Sequence, residues 1–97
     1  MANYITLRIR TSTKTSERYF LHGEHECDTY DFLRNHENKQ EIDSNSLIHF
    51  EWFEITLTSE DVKELKTQCW FKNCSWDNPQ LETELKEGAT LECVLFY

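Results

Sequence analysis

Apolar and polar residues alternate at the start of the chain, as they do in a strand with one buried face. Between residues 3 and 11, Ile or Leu occupies every second position from Ile5 to Ile9, and polar or charged residues fill the gaps. Successive side chains of a strand point to opposite faces, so this period of two predicts a β-strand. The Ser/Thr-rich residues 11–16 predict a hairpin loop, and residues 18–22 predict the return strand.

Residues 47–57 form the strongest strand pattern in the chain. They carry apolar side chains on both faces, with Phe50 and Trp52 opposite the main apolar face. This pattern predicts an inner strand, or a strand whose second face contacts a helix or a partner. Residues 90–97 alternate again and predict the closing strand.

Two helices are predicted between these last two strands. Thr58 and Asp61 have the spacing of a capping box, which predicts a helix over residues 60–69. Pro79 suits the first position of a second helix, which we predict over residues 79–87. The segment between the two helices is predicted to be irregular.

The stretch between the first hairpin and the strongest strand has a weaker pattern. Tyr30 and Leu33 favour a short helix that is capped by Asp28 or Thr29. Residues 35–46 are polar with almost no apolar residue, so we predict a long surface loop there.

The order of these elements predicts an α+β fold in a single domain over residues 1–97. We expect a small antiparallel or mixed sheet of about four strands with one or two short helices on one face. The chain has 97 residues, of which 38% are apolar and 13% aromatic, so the core should be small and rich in aromatic rings.

The charge of the chain is negative and unevenly distributed. Its net charge is −8, but residues 1–20 hold four basic residues against one acid, whereas residues 21–97 hold six against seventeen. Such a surplus of acids repels nucleic acid and anionic membranes and favours a basic partner or cations. The exception is the first strand, where Arg8 and Arg10 are expected to pair with acids on neighbouring strands.

We predict a cytoplasmic protein that has no contact with a membrane. The sequence contains no run of 18 apolar residues and no apolar stretch near its first residue. Without a secretion signal, its four Cys residues are expected to be free thiols.

The candidate binding residues begin with four acids, Glu24, Glu26, Asp28 and Asp31. If residues 24–28 are extended, three carboxylates lie on one face about 6.6 Å apart, because a strand rises about 3.3 Å per residue. Carboxylates so close repel each other unless a cation or a basic partner meets them. The alternative is a solvated loop that only keeps the protein in solution.

Aromatic residues crowd into the segment between the two predicted helices. Trp70 and Phe71 are assigned to the core. Trp76 has polar neighbours, including Asp77, and fits either a core residue or an interface anchor. We therefore add Trp76 and Asp77 to the candidate binding residues.

A metal site is the main chemical alternative. Its ligands would be His22, His25 and Cys27 together with Cys69 and Cys74. Zinc sites use close ligand pairs that a tight turn presents together, and neither group has such a turn. No nucleotide-binding, catalytic or phosphate-binding motif is present, so we predict no cofactor and no enzymatic activity.

These features predict a non-enzymatic protein-binding module or inhibitor of viral or mobile-element type, which acts as a nucleic-acid mimic. Its acidic, aromatic-bearing surface would occupy a basic protein that handles nucleic acid, such as a nuclease, in the manner of immunity, antirestriction or anti-CRISPR proteins. Direct binding to nucleic acid is not expected. The alternatives are a small metal-binding or catalytic domain, and a structural subunit that makes contact through Trp52 and the closing strand.

Overall fold

Residues 4–22 and 27–96 are described by the computed structural model, and they form five strands and four helices. The strands are β1 Tyr4–Arg10, β2 Tyr19–His22, β3 Gln40–Asn45, β4 Phe50–Thr56 and β5 Thr90–Phe96. The helices are α1 Cys27–Arg34, α2 Ser59–Lys66, α3 Cys69–Asp77 and α4 Leu81–Glu84. No helix in these two ranges is long and apolar enough to cross a membrane.

The strands form one antiparallel sheet in the order β2-β1-β5-β4-β3. The closing strand β5 lies at the centre and pairs with β1 on one side and β4 on the other. The fold is therefore α+β, as predicted. The described residues form one strand more than the four expected, and four short helices where one or two were expected.

One face of the sheet packs against the helices and forms the core. The sheet contributes Ile5, Leu7, Ile9, Tyr19, Leu21, Phe53, Ile55, Leu91, Cys93 and Leu95, and the helices contribute Tyr30, Leu33, Leu65, Trp70, Phe71 and Leu81. Each fully buried large apolar side chain contributes roughly 1.5–3 kcal/mol relative to exposure. The core assignment of Trp70 and Phe71 is confirmed.

The predicted capping box starts α2. The backbone N–H of Asp61 donates to Thr58 Oγ1 at 3.2 Å, and the backbone N–H of Thr58 donates to Asp61 Oδ2 at 3.0 Å. Both groups would otherwise be unpaired at the first turn of a helix. The helix ends at Lys66, three residues before the predicted end.

The loop predicted over residues 35–46 is wrong in its second half, because Gln40–Asn45 is the edge strand β3. All six residues of β3 are exposed, and a bulge shifts its pairing with β4 between Glu41 and Asp43. An edge strand can be held by backbone hydrogen bonds to its one neighbouring strand. Because neither face of β3 is buried, its sequence shows no alternation of apolar and polar residues that would predict a strand.

Three other predicted boundaries are also wrong. The strongest strand begins at Phe50, because residues 46–49 form a turn in which His49 has a φ of 52°. The segment between the two predicted helices is itself helical and forms α3. The last helix is only Leu81–Glu84, since the backbone turns to an extended conformation at Leu85.

A buried polar contact joins the first hairpin to α4. The hydroxyl of Tyr19 donates to Glu84 Oε1 at 2.8 Å, and Lys14 Nζ lies 3.4 Å from Glu84 Oε2. Burial, followed by the hydrogen bond and charge of Glu84, raises the pKa of Tyr19 well above its usual value of 10. Tyr19 therefore stays protonated and acts as a hydrogen-bond donor.

Candidate functional site

Helix α1 presents two of the predicted acids to solvent. Asp28 and Asp31 lie one turn apart and are exposed, whereas Thr29, Tyr30 and Leu33 are buried on the other side of the helix. Residues three apart on a helix share a face, so the two carboxylates are neighbours. Asp28 therefore belongs to a helix and not to the extended segment predicted over 24–28.

The other two predicted acids, Glu24 and Glu26, lie outside the described residues. The structure extends the acidic surface in the opposite direction along the chain. Glu37, Glu41 and Asp43 follow α1, and all three are exposed. We call residues 28–43, from α1 to the edge strand β3, the acidic segment.

Almost every basic side chain of the protein is already paired. Eight of the ten Lys and Arg residues form ion pairs, which leaves Lys72 and Lys86. Within the described residues, nine exposed acids have no ion pair. They are Glu17, Asp28, Asp31, Glu37, Glu41, Asp43, Glu64, Asp77 and Glu87. The uncompensated charge is therefore strongly negative, and five of the nine acids lie in the acidic segment.

Trp76 and Asp77 lie at the end of α3 and are both exposed. Trp76 has 88% of its surface exposed, whereas Trp70 on the same helix has none. The core therefore does not need Trp76, and its ring is available to a partner.

The structure keeps the two parts of the predicted binding surface apart. The Thr29 hydroxyl donates to Gln68, the residue that precedes α3, so the start of α1 lies beside the start of α3. Trp76 is eight residues further on, roughly 12 Å along the helix axis. Within the described ranges, no hydrogen bond, ion pair or ring contact joins Asp28 or Asp31 to Trp76 or Asp77.

A cavity of about 370 Å³ lies beside the acidic segment, between the end of α1 and the start of α2. Asp31, His36, Glu37 and Asp61 contribute polar side chains to its lining, and Phe32 contributes an apolar one. Sequence reasoning did not find this cavity, because its walls come from two separate segments, residues 31–38 and residues 58–61.

Both ring nitrogens of His36 are engaged at this cavity. The backbone N–H of Asn38 donates to Nδ1 at 3.1 Å, so Nδ1 carries no proton and the Nε2–H donates to Asp61 Oδ1 at 2.9 Å. Asp61 Oδ2 is bound in turn to the Thr58 backbone. With no free nitrogen, His36 cannot act as a base or a metal ligand in this arrangement, and the pair instead holds the loop after α1 to α2.

The Asp61 contacts predict a loss of stability in acid. Burial by itself would raise the pKa of Asp61, but hydrogen bonds from Thr58 and His36 outweigh it and hold the pKa below its usual 3.8. A carboxyl whose pKa is lowered by folding contributes its full stability above the unfolded pKa and loses it as the pH falls through the folded one. We expect the free energy of unfolding to decrease as the pH falls below about 4.

Asp61→Asn tests this prediction. We expect it to lower the free energy of unfolding at pH 7 by about 1–2 kcal/mol, because it weakens both the capping contact with Thr58 and the hydrogen bond with His36. Urea denaturation between pH 7 and pH 2.5 should show the two proteins converging in acid. Glu64→Gln removes an exposed acid from the same helix and should leave the curve unchanged; a constant gap between Asp61→Asn and wild type would contradict the prediction.

The proposed metal ligands are only partly described. His25 and the side chains of His22 and Cys27 lie outside the described part of the chain. Cys69 and Cys74 lie five residues apart on α3, which places them about 140° apart around the helix axis. They therefore do not form a matched pair, and no group of three or more metal-binding side chains occurs in the described ranges.

Cys93 is a free thiol in the core face of β5. Burial raises the pKa of Cys93 well above its usual value, so the thiol is protonated and unreactive at neutral pH.

The sheet face opposite the helices is a further exposed apolar surface, of which the sequence analysis singled out Trp52 and the closing strand. Four rings form a row across it. The Tyr4 and Phe20 ring centroids are 5.9 Å apart, those of Tyr4 and Phe96 6.0 Å, and those of Phe50 and Phe96 5.3 Å. We call these four residues the aromatic row and this side of the sheet the open face.

Ion pairs occupy the rest of the open face. Arg8 lies 2.8 Å from Glu92 on the adjacent strand β5, as predicted, and Arg10 reaches across β5 to Glu54 at 3.2 Å. Arg18 also contacts Glu92, at 3.5 Å. These pairs account for the basic surplus of residues 1–20, which is not free to bind phosphate.

Comparison with models of protein families, with curated proteins and with solved structures finds no match to this chain.

Proposed function

We propose that this protein is a non-enzymatic binding module that occupies a basic surface on another protein. The supporting observation is the imbalance of unpaired charge, with nine exposed acids against two lysines in the described residues. Ion pairs within the chain neutralise nearly all of its positive charge and leave the acids. A field of one sign steers a partner of the opposite sign to the surface.

The partner class follows from the arrangement of the acids. The acidic segment runs from a helix to an exposed edge strand and carries five unpaired carboxylates, and a nucleic acid likewise presents a series of negative charges. A basic protein that handles nucleic acid, such as a nuclease, presents the matching charges. The proposed role is that of an inhibitor or nucleic-acid mimic in the cytoplasm.

Trp76 supplies the apolar part of the proposed contact. Exposed ion pairs contribute about 0–1 kcal/mol each, so charge alone rarely holds a complex. A desolvated aromatic anchor contributes 2 kcal/mol or more. Trp76 is exposed and lies beside the unpaired Asp77, so it can supply such an anchor next to an uncompensated charge.

Neutralising the predicted acids tests the proposal. The variant Glu24→Gln, Glu26→Gln, Asp28→Asn and Asp31→Asn should associate with the partner about tenfold more slowly at low salt and show a flatter salt dependence, because steering is lost. Dissociation should change little. The partner is first captured from cells of the source organism on immobilised protein, identified, and purified for surface plasmon resonance.

The control neutralises four acids elsewhere, namely Glu17, Glu60, Glu64 and Glu87, each replaced by Gln. Both variants have the same net charge, so only the position of the lost charges differs. If both slow association equally, the net charge and not the acidic segment steers the partner. If neither does, the proposed surface is wrong.

A further inference from the structure

We propose that the open face of the sheet binds a second copy of this chain, face to face about a two-fold axis that runs along β5. This surface is opposite the helices and does not depend on the partner proposed above. The inference rests on the aromatic row and on how charges are distributed across the strands.

The open face is unusually apolar for a surface that faces solvent. The aromatic row crosses four of the five strands, and Phe20 and Phe96 are 57% and 38% exposed. Val94 and Trp52 form the next row of the same face, and Trp52 Nε1 is buried without a hydrogen-bond partner. An apolar patch of this extent on a small protein indicates an interaction surface.

Basic and acidic side chains of the open face lie on opposite sides of the central strand β5. On one side of β5 lie Arg8 and Arg10 of β1, with Arg18 just before β2. On the other side lie Glu54 of β4 and Asp43 of β3, which pairs in register with Trp52. A uniformly basic partner would meet the three arginines, so this face does not suit the partner proposed for the acidic segment.

A second copy suits both features at once. Because β5 is the central strand, a two-fold axis along it places β1 of one copy over β4 of the other. Each row of residues across the sheet then lies level with the same row of the second copy. Tyr4 then faces Phe50 of the second copy, Phe96 faces its own counterpart, and Arg8 faces Glu54 of the second copy. In the row through Tyr4 aromatic rings thus meet aromatic rings, and Arg8 meets a carboxylate, as an isologous interface requires. Glu92 of β5 faces its own counterpart, and each of these two carboxylates is paired with Arg8 and Arg18 of its own copy. Phe20 lies level with Asp43 of the second copy.

The size of the face sets the expected strength. Three strands of seven residues and edge strands of four and six residues, with about 3.3 Å per residue and about 4.8 Å between strands, give a flat footprint of about 490 Å² before side-chain relief. A standard interface buries about 800 Å² per partner, so this contact is at the weaker end. We expect a dimer that dissociates at micromolar concentrations. Five of the nine unpaired acids belong to the acidic segment and lie away from the centre of the dimer interface.

Sedimentation equilibrium from about 1 to 500 μM is the test, since dimerisation depends on concentration by mass action. We expect wild type to pass from monomer to dimer in this range and Phe20→Asp to dimerise at least about tenfold more weakly. Phe96→Ser is a second variant, in case Phe20→Asp is not folded by circular dichroism. Lys86→Gln matches the charge change of Phe20→Asp on the helical side and should dimerise like wild type.

A monomer at every concentration overturns the inference and leaves the open face to a different protein. A dimer that neither open-face variant weakens overturns it as well, because another surface then forms the contact. Dimerisation weakened by both variants and retained by Lys86→Gln supports it. Higher salt should weaken the wild-type dimer further, because arginine–carboxylate contacts between copies are screened.

Discussion

Trp70→Ala is expected to remove a large part of the free energy of unfolding of the protein. Trp70 is fully buried on α3, its ring packs edge to face against Phe71 at 6.0 Å, and its Nε1–H donates to Gln68 at 3.1 Å. Replacing a buried Trp by Ala typically costs about 3–5 kcal/mol, and a domain of this kind has only about 5–15 kcal/mol in total. Urea denaturation followed by circular dichroism measures the loss.

Gln68 explains why the damage should extend beyond α3. The same side-chain oxygen accepts from Trp70 and from Thr29 of α1, so the two helices share one buried acceptor. Trp70→Phe keeps much of the ring volume and should cost clearly less than Trp70→Ala. A loss below about 1 kcal/mol for Trp70→Ala would mean that α3 does not anchor the helical layer.

The elements that sequence reasoning found are those with strong local signals. Alternation located β1, β2, β4 and β5, and the spacing of Thr58 and Asp61 located the start of α2. The sequence pattern of β3 is polar except for Ile42, which gives no alternation, and the strand exists because β4 offers it a free backbone edge. Helix α3 was missed because only Trp70, Phe71 and Cys74 mark its buried side, and a single helical repeat is too little to recognise in the sequence.

The candidate site was predictable only in part. The acidic surplus can be counted from composition, but which acids remain unpaired depends on contacts such as Arg8 with Glu92, which are 84 residues apart. The open face was hidden for a related reason. Phe20 and Phe96 are single aromatic residues in different strands. Only the pairing of the strands brings Phe96 directly beside Tyr4 and Phe20 diagonally beside it.

Charge and aromatic contact should act on different steps of binding, which gives the protein two separable determinants. Unpaired acids act over a distance of about 8 Å at physiological salt and so change the rate of encounter. A buried ring acts only after contact and so changes the rate of escape. The distance of Trp76 from the start of α1 allows one to be altered without the other.

Trp76→Ala is therefore expected to speed dissociation from the partner by about 30-fold, the equivalent of about 2 kcal/mol for a lost aromatic anchor. Association should be unchanged, because no charge is altered. The fold should be unaffected, with the free energy of unfolding within about 0.5 kcal/mol of wild type, because the side chain is 88% exposed. Surface plasmon resonance with the purified partner measures both rates.

Trp76→Phe is the matched variant for this experiment. It keeps an aromatic ring but loses the indole N–H and part of the contact area, so its dissociation rate should lie between those of wild type and Trp76→Ala. Because the same proteins can be compared by urea denaturation, a change in folding is separated from a change in contact. The contrary result is that both variants dissociate at the wild-type rate while the acid variant still slows association. Charge would then steer the partner to this protein, but Trp76 would not hold it there. The apolar anchor would have to be one of the aromatic residues of the open face.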